Sequence, residues 1–409
     1  MNIGYHYYTI KTLAVKAGFG EEDAQIIAFY SQMIDDFVLS NVLLLNSCPP
    51  DFFLKNGLAK KVGEQEWVFL PCPTGIDMIK SVSHNYQRHT LAPFHFIPVI
   101  SLPEIERKQN EKEQNEVGPQ AVEDMQTAQS FNRLAYRCQR GDLSLDMLIV
   151  ELLYQAVEAA KQEKSHKNLM RLGMTLHTYA DTYAHCNFSG LHGYENEARV
   201  KNAWKSDGSP GISEAEIFFF KELPSIGHGN VGSVPDICTY RISYAMKSSP
   251  KSGLDYIVER DNAQFFSECS RDIFHLLCTI TGKKISDDRE WDELRANLIK
   301  AQTVKKDEKK YLTPSWNQVF PHISYEYSKN VYFMLDMIVE EMEGYLLDSL
   351  GERVAQEVLK DAFSCEGNQH RNRCQVRLNN ATQEFFDYNE LAYERVKAVT
   401  GEYRSQKLS

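Results

Sequence analysis

The chain has 409 residues, 43% hydrophobic and 25% charged, the balance of a protein that buries a sizeable core in one or two domains. Its formal net charge of −11 leaves no global basic field for nucleic acid, which argues against duplex binding but not against a site where metal ions hold phosphate. The nine cysteines, odd in number and with no C-x-x-C pair, read as reduced thiols. The opening MNIGYHYYT has neither a basic start nor an apolar core, and the apolar run VYFMLDMIV is short and broken by Asp336. A cytoplasmic protein with no transmembrane segment is the expectation.

Taken in order, almost every segment has helical spacing. Tyr7, Ile10, Leu13, Ala14 and Ala17 form one face, and Gly18 follows as a stop. A second helix is predicted over residues 21–35, carrying Ala24, Ile27, Ala28 and Ile34. Residues 48–103 are rich in proline and glycine, and WVFL at 67–70 is the one plausible strand there. The polar stretch 104–123 reads as a mobile insertion. Helices are predicted over 121–139 and 142–164, followed by a loop-rich stretch at 202–235 that holds GHGNVGSVPD. Helical spacing returns from Ile237, notably at 265–280, 291–299, 325–350 and 379–400. The expectation is an all-α bundle with long loops, a metal-binding core over 1–240 and further helices over 241–409.

One stretch concentrates the chemistry: LHTYADTYAHCNFSGLHGYENE, residues 176–197. His177, Asp181 and His185 recur at i, i+4 and i+8, so on a helix they share a face. Gly173 lies one turn earlier on that face and leaves room for a close approach. Leu169, Leu172, Leu176, Tyr179 and Tyr183 supply an adjacent apolar stripe. Imidazole and carboxylate at this spacing suit zinc or a similar divalent ion, and His192 and Glu195 are further ligand types close by. Elsewhere, His6 opens the first helix, Asp35 and Asp36 close the second, and His95 sits in PFHFIP. A carboxylate at a helix C-terminus opposes the helix dipole, a placement that a cation would explain. His228, between two glycines, and Asp236, after Pro235, could form another pair. The remaining histidines read as structural.

Assembled, these residues resemble the zinc-dependent phospholipase C and single-strand nuclease superfamily, and within it a bacterial group with an H-Y-Y start and a D-T-x-A-H-x-x-F-S-G-L-H core. The resemblance covers residues 1–200 and is most specific over 176–196. It implies an all-α fold with two or three zinc ions. Asp181 would bridge two ions, and His177, His95 and Asp35 or Asp36 would complete one of them. His185, His192 and Glu195 would hold a second, and His6, with an amine from Met1, a third. It further implies phosphodiester hydrolysis, with Asp35 and Asp181 at the reacting centre and clustered ions polarising the ester. The spacings from Asp181 to His185 and from His192 to Glu195 are shorter than the superfamily's. With no basic, aromatic-interleaved groove, a phospholipid-like or small phosphodiester is preferred to nucleic acid. A single-strand nuclease and a non-catalytic protein braced by its metals are the rival readings.

Overall fold

The computed structural model of the chain describes residues 1–40, 42–116, 133–205, 208–285, 288–302, 309–326, 376–378 and 381–403. A π-helical stretch, Gly4–Thr9, runs into α1 (Ile10–Lys16), and Gly18 ends it with a positive φ of 97°. α2 (Glu21–Asp36) follows, with Glu21, Glu22 and Asp23 in its first turn to complement the dipole. Three short strands come next: β1 (Leu43–Leu45), β2 (Ala59–Lys61) and β3 (Trp67–Phe69). The larger helices after them are α3 (Leu102–Glu116), α4 (Leu148–Gln162) and α5 (His166–Ala184). A hairpin-rich region holds β4 (Ala198–Lys205), α6 (Glu214–Lys221), β5 (Tyr240–Lys247) and β6 (Leu254–Asp261). The chain continues through α7 (Asn262–Thr281), α8 (Asp288–Gln302), α9 (Lys309–Val319), β7 (Val376–Leu378) and α10 (Gln383–Thr400).

The architecture is therefore mixed α/β, and the all-α expectation is wrong. One sheet has four strands in the order β2-β3-β1-β7, antiparallel except for the parallel β1–β7 pair; the other is the antiparallel β4-β5-β6 meander. Trp67–Phe69 is a strand, as its composition suggests. Residues 240–261, which have helical spacing by eye, form a hairpin instead. Alternate residues Ile242, Tyr244 and Met246 turn to one buried face while partner residues cover the other, so the apolar run carries no clean period. This sheet crosses residue 240, joining β4 to β5 and β6.

The stretch expected as a mobile insertion is helical over Leu102–Glu116. Buried Leu102 and Ile105 anchor it, and the i,i+4 pairs Glu104–Lys108 (2.9 Å) and Arg107–Glu111 (2.7 Å) line its wet side. The rest of that stretch, most of the helix predicted over 121–139 and nearly all of the one over 325–350 lie outside the described residues. Among the described residues no helix is long and apolar enough to cross a membrane.

Helices α2 and α5 cross at the centre of the molecule. A Cβ at Gly173 would collide with the Ile27 carbonyl and press on the Ser31 amide, so glycine there brings the two backbones together. The approach is thus made by α2 itself. On one side of the crossing, α1, α4, α5, α7 and α8 share a large apolar core. On the other, α2 and α10 pack with the four-stranded sheet around Phe37, Phe53, Phe69 and Tyr388. The β4-β5-β6 sheet closes a third cluster around Phe96, Phe188 and Tyr244. The site lies where these three cores meet.

Candidate metal centre

Three groups of ligand-type atoms converge, the first two sharing His177, each with members within 4.8 Å of one another: His6, Asp35 and His177; His95, His177 and Asp181; and His185, His228 and Asp236. Asp181, on the last turn of α5, is the hub and is buried. Its Oδ1 faces His6 Nε2 at 3.1 Å and the Met1 amino group at 2.5 Å. Its Oδ2 faces His95 Nδ1 at 3.1 Å and His177 Nε2 at 3.2 Å. Asp35 Oδ1 stands 3.7 Å from His177 Nε2 and 3.9 Å from His95 Nδ1. Further along, His185 Nε2 lies 3.1 Å from Asp236 Oδ1, and His228 Nε2 lies 3.4 Å from Asp236 Oδ2.

The outer nitrogens of four of these rings are fixed. His177 Nδ1 donates to the Ser31 carbonyl (2.7 Å), His95 Nε2 to Thr74 (2.7 Å), His185 Nδ1 to His95 (2.6 Å) and His228 Nδ1 to Gly232 (2.7 Å). A carbonyl oxygen only accepts, so the proton sits on the outer nitrogen and the inner one keeps its lone pair. Metal-binding histidines are oriented in this way. His6 stacks on His177 with ring centroids 3.8 Å apart, and its Nδ1 is buried without a partner. The donor set, mixed imidazole and carboxylate, fits zinc or a related divalent ion.

The electrostatics fit the same use. Burial would raise the Asp181 carboxyl, but His185, the Met1 amine, His177 and His6 hold it well below the usual range. Burial raises Asp35, with His177 and His95 opposing. Asp236 is lowered in spite of burial, by His228, the amine and His185. Burial is the chief cause that sets His6 and His185 below the ordinary histidine value. His95 is raised despite its burial, because the facing Asp181 and Asp35 carboxylates favour a second proton on the ring. The Met1 ammonium supplies positive charge between Asp181 and Asp236, 3.3 Å from the latter's Oδ1. Burial would lower its pKa, but those carboxylates push it up to about 10.

Not every expected ligand is present. Asp36, next to Asp35, accepts from Gln32 Nε2 (3.2 Å) and belongs to none of the three groups, since successive helix positions point about 100° apart. His192 is exposed and away from the cluster; its backbone amide donates to Gln87 Oε1 at 2.9 Å. Glu195 is fully buried, but Arg133 holds it through Nε (2.6 Å) and Nη2 (2.8 Å), and Ser189 Oγ donates to it (2.9 Å). With both oxygens so engaged, the side chain braces the loop after α5. Asp236 stands with His185 and His228 where the resemblance puts His192 and Glu195. The sequence signal for it was modest: an aspartate after proline, eight residues beyond a histidine flanked by glycines.

The fold and the site together define a mixed α/β protein with a buried histidine–aspartate cluster of metal-binding type. The chain belongs to a family of unknown function, DUF6765, whose model matches residues 1–402. No curated protein and no solved structure matches it.

Proposed function

We propose that the protein is a metal-dependent phosphoesterase, hydrolysing a phospholipid-like or small phosphodiester at a centre of two or three zinc ions. The observation that carries this reading is the placement of Asp181, whose two oxygens face two different sets of nitrogens, as a bridging carboxylate requires. Asp35, His95, His177 and Asp181 would hold one ion, and His185, His228 and Asp236 a second. His6 and Asp181 would serve a third. Divalent ions there supply Lewis acidity and positive charge to a phosphodiester.

The chain's own part is to orient and to give access. Asp35, Asp236 and His228 have side chains 26%, 18% and 16% exposed, while the other members are buried, so a substrate approaches over these three. A mouth lined by two carboxylates repels a phosphodiester unless cations neutralise it. Anion binding should therefore require the metals. Phe96, stacked on His185 at 4.5 Å, walls the inner side and limits water.

The test uses the full chain loaded with zinc, assayed on bis(p-nitrophenyl) phosphate, phosphatidylcholine vesicles and single-stranded DNA. Turnover of the first two above the third is expected. Asp181→Asn, which swaps an anionic bridge for a neutral amide, should lose at least one ion and the activity. A wild-type protein with a full metal complement and no turnover on any of the three would favour the metal-braced binding protein instead.

A further inference from the structure

Two ligands proposed for one ion come from separate segments, Asp35 from the last turn of α2 and His95 from the end of the short helix Ala92–Phe94. Their facing atoms stand 3.9 Å apart. One residue grips both segments. The Thr74 carbonyl accepts from His95 Nε2 (2.7 Å), and the Thr74 hydroxyl donates to the carbonyl of Ile34 (2.9 Å), the residue before Asp35. Carbonyls in the last turn of a helix have no partner within it, so a buried one needs a donor from outside. Thr74 is itself buried.

A tyrosine from α10 completes the arrangement. Tyr388 Oη lies 2.7 Å from Thr74 Oγ1 and 3.3 Å from the Met33 carbonyl. The single Thr74 hydroxyl proton goes to Ile34, so Tyr388 donates in the shorter contact. Burial chiefly raises the Tyr388 hydroxyl well above its ordinary value, which keeps that proton in place. The ring is buried against Phe37, with centroids 5.0 Å apart. The Thr74 and Gly75 amides both donate to the Phe37 carbonyl (2.9 Å each), which docks the backbone of this segment on the end of α2. A Cβ at Gly75 would strike the Asp35 carbonyl, so the two backbones are as close as glycine allows.

We propose that Thr74 and Tyr388 are positioning residues for the metal centre, setting the separation of Asp35 from His95. Neither would touch the ion or a reacting atom. Thr74 holds the His95 ring by its carbonyl and the end of α2 by its hydroxyl, and Tyr388 fixes the rotamer that lets it do both. The group His185, His228 and Asp236 lies outside these bonds, save that His185 Nδ1 donates to the His95 main chain. The effect should therefore fall on one ion. Both roles rest on the metal-binding part of the proposed function and not on phosphodiester hydrolysis.

Zinc titration of the full chain against a competing chelator reads each ion, and melting of the metal-free protein reads stability apart from it. Thr74→Val keeps the shape and removes the hydroxyl. It should weaken one ion by about tenfold, the low end for an outer partner of a ligand, because the Phe37 carbonyl still holds the backbone. Thr74→Ser restores the hydroxyl and should bind both ions as the wild type does. Tyr388→Phe leaves its ring in the core and should weaken the same ion, though less. A Thr74→Val protein with a lower metal-free melting temperature but wild-type zinc affinity, or a Thr74→Ser protein as weak as Thr74→Val, would overturn the positioning roles alone. If Thr74→Val does not fold, unchanged affinity in Tyr388→Phe overturns them. A wild-type chain that takes up no zinc would overturn the metal reading and these roles with it.

Discussion

Gly173→Ala is the smallest change that should disturb the metal centre without touching it. The added Cβ meets the backbone of α2 at Ile27 and Ser31, and neither can rotate away. An unstrained carbon contact needs about 3.5 Å, so α2 and α5 must part locally by roughly an ångström. The Ser31 carbonyl that orients His177 would then move from 2.7 Å to roughly 3.7 Å, beyond hydrogen-bond range. Overpacking of this kind costs about 1–3 kcal/mol, and the upper end applies where both partners are backbone. With about 2.1 cal/mol/K of unfolding entropy per residue over 409 residues, each kcal/mol shifts the melting temperature by about 1.2 °C, so it should fall by roughly 4 °C. Loss of the orienting carbonyl should also weaken metal binding by about 10–100-fold. Calorimetric melting and zinc titration against a competing chelator measure the two effects. A variant with unchanged melting temperature and unchanged zinc affinity would refute the reasoning from helix approach to ligand geometry.

Removing Arg133 by Arg133→Ala strands the buried Glu195 carboxylate. The expected cost is about 3 kcal/mol, the low end for a broken buried pair because Arg133 itself reaches solvent. Metal stoichiometry should not change, and a lost ion would mean that Glu195 is a ligand after all. A pH effect is expected at the α5–α10 contact, where His166 Nε2 faces Glu384 Oε1 at 3.5 Å. The bond from Glu384 raises His166, and the same bond lowers Glu384. The pair's stabilisation is full between the ordinary values, 4.5 for the acid and 6.5 for the histidine. It fades above, as pH passes the raised histidine value, and below, as pH passes the lowered acid value. Glu384→Gln should therefore lower the melting temperature more at about pH 5.5 than at about pH 9; equal effects at both would contradict the pairing.

The parts of the site that were legible in the sequence are those set by helix geometry. His177, Asp181 and His185 share a face because 3.6 residues make a turn, and a buried partner helix then brings Asp35 alongside. What could not be read depends on distant segments. Glu195 has a ligand's chemistry, yet Arg133, 62 residues earlier, engages it, and no local pattern announces that bond. The strands over residues 240–261 were hidden for a related reason. β5 is buried on both faces whereas β6 leaves Tyr256 and Ile257 exposed, so neither strand shows a clean alternation and spacing alone misleads. His95 reaches the cluster because it caps the short helix Ala92–Phe94 beside Thr74, an arrangement that only tertiary structure supplies.

The central claim is that these histidines and aspartates hold metal. Its most direct test is anomalous diffraction at the zinc edge from crystals of the full chain supplied with zinc. At least two peaks are expected: one about 2.0–2.1 Å from His95 Nδ1 and His177 Nε2, the other at the same distance from the Nε2 atoms of His185 and His228. Crystals with no peak at either position, and the Met1 ammonium still between Asp181 and Asp236, would contradict it.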